Sequence, residues 1–173
     1  MTYPRRQLVV PGQAGVYHCV SRCVRRAFLC GVDAYSGQSF EHRRPWLEQR
    51  LLELAEIFAV SLHGYAVMSN HIHVVIGVAP EIARQWPDET VAARWLRLFP
   101  PRDPSEAAGK HASMLADPER LSRYRERLGD LSWFMRALSE PIARRANAED
   151  GCKGRFWGRF LLLQNLHTAH PCA

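Results

Sequence analysis

Two histidines one residue apart, His71 and His73, are the side chains of this chain whose type and spacing point most directly to chemistry. On a β-strand, residues two apart leave the same face. The two imidazoles would then stand side by side while Ile72 enters the opposite face. Neutral imidazoles about one pleat apart make a natural pair of ligands for a divalent ion. An ion held there polarises a phosphodiester oxygen and stabilises charge in a transition state. The bland alternative is a strand carrying two partly exposed structural histidines. A second cluster, Cys19 and Cys23 with His18 adjacent, supplies only part of the four-ligand set of a structural zinc site, and no second pair follows it. The chain has five cysteines and no secretory leader, which argues against a disulfide framework.

The elements that must position these residues can be read from periodicity. Residues 16–24 (VYHCVSRCV) alternate as a strand, with Tyr17, Cys19, Ser21 and Cys23 on one side and His18, Val20, Arg22 and Val24 on the other. A turn-rich stretch, 31–45, precedes an amphipathic helix over 46–59 whose apolar face carries Leu47, Leu51, Leu54, Ala55 and Phe58. Residues 60–68 and 71–78 form two strands, and Ser69 and Asn70 between them suit a tight hairpin. Tyr65 shares the alternation of Val67 and is expected in the core. A short helix over 89–99 follows, then a polar, Pro-containing loop over 100–110. Asp117 before Pro118 starts a helix to about Leu128, and Asp130 caps another from Leu131 to about Ala148. Pro141 should kink or split that last helix. A fourth strand is expected near 154–163. Strand, helix, strand, strand, helices is an α+β order, with an antiparallel sheet covered by helices on one side.

The 173 residues suffice for one domain with a real core. Net charge is +6, and of 23 basic residues all but Lys110 and Lys153 are arginine. Arginine binds phosphate through a planar fork and can stack on bases. The basic balance points to nucleic acid as a partner, against the alternative of an arginine-rich solvated surface. No apolar run is long enough to span a bilayer, and 1–10 lacks the apolar core of a signal peptide. No membrane partner is expected, and a cytoplasmic protein is.

Residues 65–75 (YAVMSNHIHVV) resemble the strand–turn–strand of REP-associated tyrosine transposases, relatives of the insertion-sequence single-tyrosine transposases of the HUH superfamily. The strings at 17–22 (YHCVSR), 24–31 (VRRAFLCG), 132–147 (SWFMRALSEPIARRAN) and 154–157 (GRFW) resemble further family segments in the family's order. The likeness covers about 7–160. It implies a ferredoxin-like HUH domain over 1–160, in which His71 and His73 hold Mg²⁺ or Mn²⁺. It also implies binding of hairpin or single-stranded DNA from a palindromic element, with cleavage and rejoining of the strand. A tyrosine hydroxyl attacks the phosphate to give a 5′-phosphotyrosine and a free 3′-hydroxyl, so one exchange becomes two transesterifications. A homodimer is compatible with this expectation.

The departure from the family lies in 161–173, a divergent tail where the resemblance leads one to expect the helix with the nucleophilic tyrosine. No tyrosine follows Tyr124, and Tyr124, in an Arg-rich helix, is a weak substitute better read as a packed helical aromatic. Gln164 lies in the stretch where the family has its third metal ligand, without a matching string. Arg22, Arg25, Arg26, Arg155 and Arg159, with Arg144 and Arg145 nearby, are candidate phosphate contacts. Trp133, Phe134, Phe156 and Trp157 are candidates for stacking on bases, with Phe134 favoured as core. Two other readings stay open: a remnant that grips hairpin DNA without cutting it, and a metal-dependent hydrolase in which His71 and His73 work with water.

Overall fold

Strict alternation at the centre of the chain builds the sheet. A computed structural model describes residues 12–24 and 27–158, together with the backbone of a strand at Leu161–Asn165. Strand β3, His71–Val78, buries Ile72, Val74, Ile76 and Val78 and leaves the residues between them half-buried. Strand β1, Gly15–Arg22, buries Tyr17, Cys19 and Ser21 on the same side. With β2, Val60–Val67, and β4, Leu161–Asn165, they form an antiparallel sheet in the order β2-β3-β1-β4. The β2–β3 hairpin closes over Ser69 and Asn70 as the sequence suggested, the Met68 N–H donating to the His71 carbonyl at 2.8 Å.

Helix α1, Arg44–Ile57, has Pro45 in its first turn, where the missing N–H costs nothing. Leu47, Leu51, Leu54 and Ile57 recur every three or four residues and are fully buried. Each contributes about 1.5–3 kcal/mol of apolar burial. The chain then runs through α2 (Pro80–Gln85), α3 (Asp88–Leu98), α4 (Ala107–Leu115), α5 (Pro118–Leu128) and α6 (Leu131–Glu149). The expected caps are present: Asp117 accepts from the Arg120 N–H and Asp130 from the Trp133 N–H, both at 2.9 Å. Helices α1, α3, α5 and α6 and the buried side of β1 and β3 share one apolar cluster. The architecture is therefore α+β, a four-stranded sheet with helices packed on one face and, among the described residues, no helix on the other.

Three expectations are corrected. The stretch 100–110 is not a simple loop: a 3-10 turn at Pro104–Glu106 leads into α4. Its alanines favour helix, and no apolar stripe announces it because α4 contains no buried residue. Tyr65 is 39% exposed. It pairs with Val74 on the helical side, but β2 is an edge strand and little covers it there. Finally, of the kink or split expected at Pro141, the split is absent, since α6 runs through it as one helix. Proline withdraws the N–H that would bond the carbonyl four residues earlier. That carbonyl, on Ala137, instead accepts from Arg50 Nε of α1 at 3.2 Å.

Arg43 heads the fully buried large side chains among the described residues. Its guanidinium donates to the Phe28 carbonyl at 2.8 Å and to Glu149 at 3.0 Å, pairs with Asp150, and lies 4.6 Å from the centroid of the Phe40 ring. It ties the segment before α1 to the end of α6. The same segment covers the hairpin turn, where the Leu29 N–H donates to the Ser69 carbonyl at 2.6 Å.

Candidate metal centre and nucleic-acid face

His71 and His73 stand on the open face of β3, as their spacing required, with ring centroids 5.0 Å apart. Ile72 between them is 1% exposed on the helical side. The antiparallel register sets Arg22 directly opposite His71 and Val20 opposite His73. A third imidazole joins them. His18, diagonal to His73 across the β1–β3 ladder, places Nε2 2.9 Å from His73 Nδ1, with centroids 5.1 Å apart. At the other end, His71 Nδ1 lies 2.8 Å from Asn70 Oδ1. An amide oxygen only accepts, so His71 Nδ1 donates and its Nε2 carries the lone pair.

The electrostatics favour the uncharged form of His71 and of His18. Burial, and then the neighbouring His73, lower the pKa of His71, with Arg22 adding to the effect. Burial and then His73 lower that of His18. A neutral imidazole with a free nitrogen is the form that binds a metal. Among the described residues, no group of three or more His, Cys, Asp or Glu side chains converges on one point. What the face brings together is the His71–His73 pair, with His18 turned to His73. The register places Gln164 opposite His18 on β4.

Around the histidines, the chain after α6 closes the corner of the sheet. The Val24 N–H donates to the Phe156 carbonyl at 2.8 Å and the Gly158 N–H to the Arg22 carbonyl at 2.6 Å, while Cys23 and Trp157 form a β-bridge. Arg22 and Arg155, both exposed, thus belong to strands and turns meeting at this corner. Arg25, Arg26 and Arg159 lie outside the described residues. Arg144 pairs with Glu140 at 3.2 Å, and Arg145 lies 3.7 Å from the centroid of the Trp46 ring. Phe134 and Phe156 are buried and have no face for a base. Trp157 is partly buried and donates through Nε1 to the Ser139 carbonyl at 2.8 Å. Trp133 is partly buried under Arg127 and Arg136.

Cys19 is buried on the helical side, and His18, its neighbour in sequence, is on the open face, so the two cannot share a zinc ion. The described tyrosines are dispersed. Tyr17 is buried and its pKa raised, by burial first and Cys19 second. Tyr124 stacks on Trp95 with centroids 3.9 Å apart and planes 8° from parallel, in the helical layer on the far side of the sheet from the histidines. Tyr35 is fully exposed and lines a hollow of about 290 Å³ with Ser69 and Asn70 of the hairpin turn.

Sequence reasoning missed His18 and Asn70 as members of the site. The sequence places His18 beside Cys19 and on the strand face of Arg22, and Asn70 in the hairpin turn within the 65–75 string, without joining either to the His71–His73 pair. The available signal was that His18 shares a strand face with Arg22, but its contact with His73 depends on a register that no local string specifies. No described helix is long and apolar enough to cross a membrane. Neither a family model nor a curated protein matches this chain.

Proposed function

We propose that the open face of the sheet is a metal-dependent site for single-stranded or hairpin DNA, in a domain of the HUH transposase kind. The observation that carries this reading is the His71–His73 pair beside the exposed Arg22, with His71 held by Asn70 so that its Nε2 is free. The order β-α-β-β-helices-β with sheet order β2-β3-β1-β4 is compatible with a split βαβ, ferredoxin-like arrangement and supports the reading.

Each residue has a definable part. His71 and His73 would hold the ion through Nε2. Arg22 offers a phosphate a fork of donors next to them. Asn70 keeps the His71 ring turned outward. A bound Mg²⁺ or Mn²⁺ would neutralise charge on a phosphodiester and polarise its P–O bond. In the transposase reading the strand is cut and rejoined by a tyrosine hydroxyl. Tyr17 is buried and Tyr124 is stacked in the helical layer, which supports a second reading, a site that grips DNA or cuts it with water, while Tyr35 is the exposed tyrosine beside the hairpin turn.

The test uses a hairpin oligonucleotide with a single-stranded flank, Mn²⁺ and a denaturing gel. A protein–DNA band that resists denaturation supports strand transfer. Cleavage without such a band supports the hydrolase. Metal-independent binding without cleavage supports the DNA-gripping remnant. Calorimetry of the H71A/H73A double variant should show Mn²⁺ binding abolished; binding equal to the unaltered protein would overturn the metal assignment.

A further inference from the structure

We propose that His18 is a positioning residue that holds His73 in the tautomer able to bind a metal. The proposal rests on reading His71 and His73 as ligands. A nitrogen–nitrogen distance of 2.9 Å between His18 Nε2 and His73 Nδ1 means that one ring donates and the other accepts. The two assignments have opposite consequences. If His73 Nδ1 accepts, the neutral ring carries its proton on Nε2, and that atom cannot take an ion. If His73 Nδ1 donates, Nε2 holds the lone pair and points away from His18. Only the second state makes His73 a match for His71, whose Nδ1 must donate because Asn70 Oδ1 can only accept.

His18 is thereby assigned the proton on its own Nδ1, with its Nε2 accepting. The same contact excludes His18 as a third ligand through Nε2, since that nitrogen is turned to His73. This agrees with the absence of a converging three-ligand group among the described residues. Each ligand ring is then held through Nδ1 by a different neighbour. His71 is held by the residue before it in the hairpin turn, and His73 by a residue on the adjacent strand. Partners of this kind fix ring orientation and raise the basicity of the ligating nitrogen, and their loss typically costs ten- to a hundredfold in metal affinity.

The experiment has a metal-free arm and a metal arm. Long-range proton–nitrogen NMR of the metal-free protein, at a pH where the rings are neutral, reads the tautomer of each histidine. His73 is expected with its proton on Nδ1. A dominant Nε2–H form of His73 would overturn the proposal whether or not a metal binds. His18→Ala should shift His73 toward a mixture of tautomers and weaken Mn²⁺ binding by about tenfold or more. His18→Gln, whose amide oxygen can accept from the same Nδ1, should restore most of both. A structural role alone would change thermal stability without the tautomer shift and without rescue by glutamine. Should H71A/H73A lose Mn²⁺ while His18→Ala keeps full affinity and an unchanged tautomer, the metal reading stands and this proposal falls. Should the unaltered protein bind no Mn²⁺, the metal reading falls and the tautomer measurement still judges His18.

Discussion

Arg22 and His71 face each other directly across the β1–β3 ladder, on the open side of the sheet. In the proposed function, a phosphate at the histidines would have this guanidinium as a neighbour. Arg22→Gln should weaken hairpin binding at low salt and make the remaining affinity less salt-sensitive. Each phosphate contact to a single strand contributes about 0.7 to the slope of log affinity against log salt, so a fall of roughly that size is expected. An unchanged slope in a fluorescence-anisotropy titration would remove Arg22 from the DNA face.

Asn70 supplies the other relationship that shapes the centre. Asn70→Ala removes the acceptor for His71 Nδ1 and should cost roughly tenfold in Mn²⁺ affinity. Asn70→Asp keeps an acceptor at the same place and should bind at least as well as the unaltered protein. Calorimetry on the two variants separates loss of the hydrogen bond from damage to the turn.

Arg43 is fully buried, and its partners Glu149 and Asp150 are partly so. Arg43→Met should destabilise the fold by about 3 kcal/mol, because the Phe28 carbonyl and Asp150 lose their donor and Glu149 keeps only His42. Urea denaturation measures this. A loss under 1 kcal/mol would show the network to be dispensable.

The same network predicts an acid limb. Burial alone would raise the Glu149 pKa, but hydrogen bonds from Arg43 and His42 outweigh it and hold the carboxyl below its ordinary value. A depressed carboxylate stabilises the fold above its unfolded pKa, and that stabilisation is lost as pH falls through the lower, folded pKa. Thermal stability should therefore decline below the ordinary carboxylate range. Glu149→Gln should flatten that decline, and a pH profile of melting temperature checks it.

Tyr124 serves the packing of α5 on α3. Tyr124→Phe keeps the ring against Trp95 and should change neither stability nor any cleavage of a hairpin substrate. Tyr124→Ala should cost about 2 kcal/mol, for the lost stack and the area it covers. A denaturation-resistant protein–DNA band that vanishes in Tyr124→Phe would contradict this placement.

How far the sequence foretold this structure depends on how local each cause is. Strand β3 was legible to its ends because every second residue, from Ile72 to Val78, is apolar and buried. Helices α5 and α6 were legible because Asp117 and Asp130 mark their first turns. The face shared by His71 and His73 followed from the pleat alone. Helix α4 left little trace, since nothing on it is buried. The exposure of Tyr65 follows from the position of β2 at the sheet edge, which alternation does not encode. The contact between His18 and His73 depends on how two strands 55 residues apart are aligned.

The proline in α6 has a use beyond being tolerated. By withholding its own N–H it leaves one carbonyl of a nineteen-residue helix in need of a donor, at a single, defined height along the axis. Arg50 meets that need from α1. Sliding either helix by one turn would leave the Ala137 oxygen unsatisfied and Arg50 facing carbonyls that their own helix already occupies. Arg145 on Trp46, and Arg43 with Glu149, hold the same two helices near the other end of their contact, and the rest of it is apolar. Pro141 and Arg50 thus act as a vernier mark, selecting one axial alignment of two helices that hydrophobic packing alone would let slip.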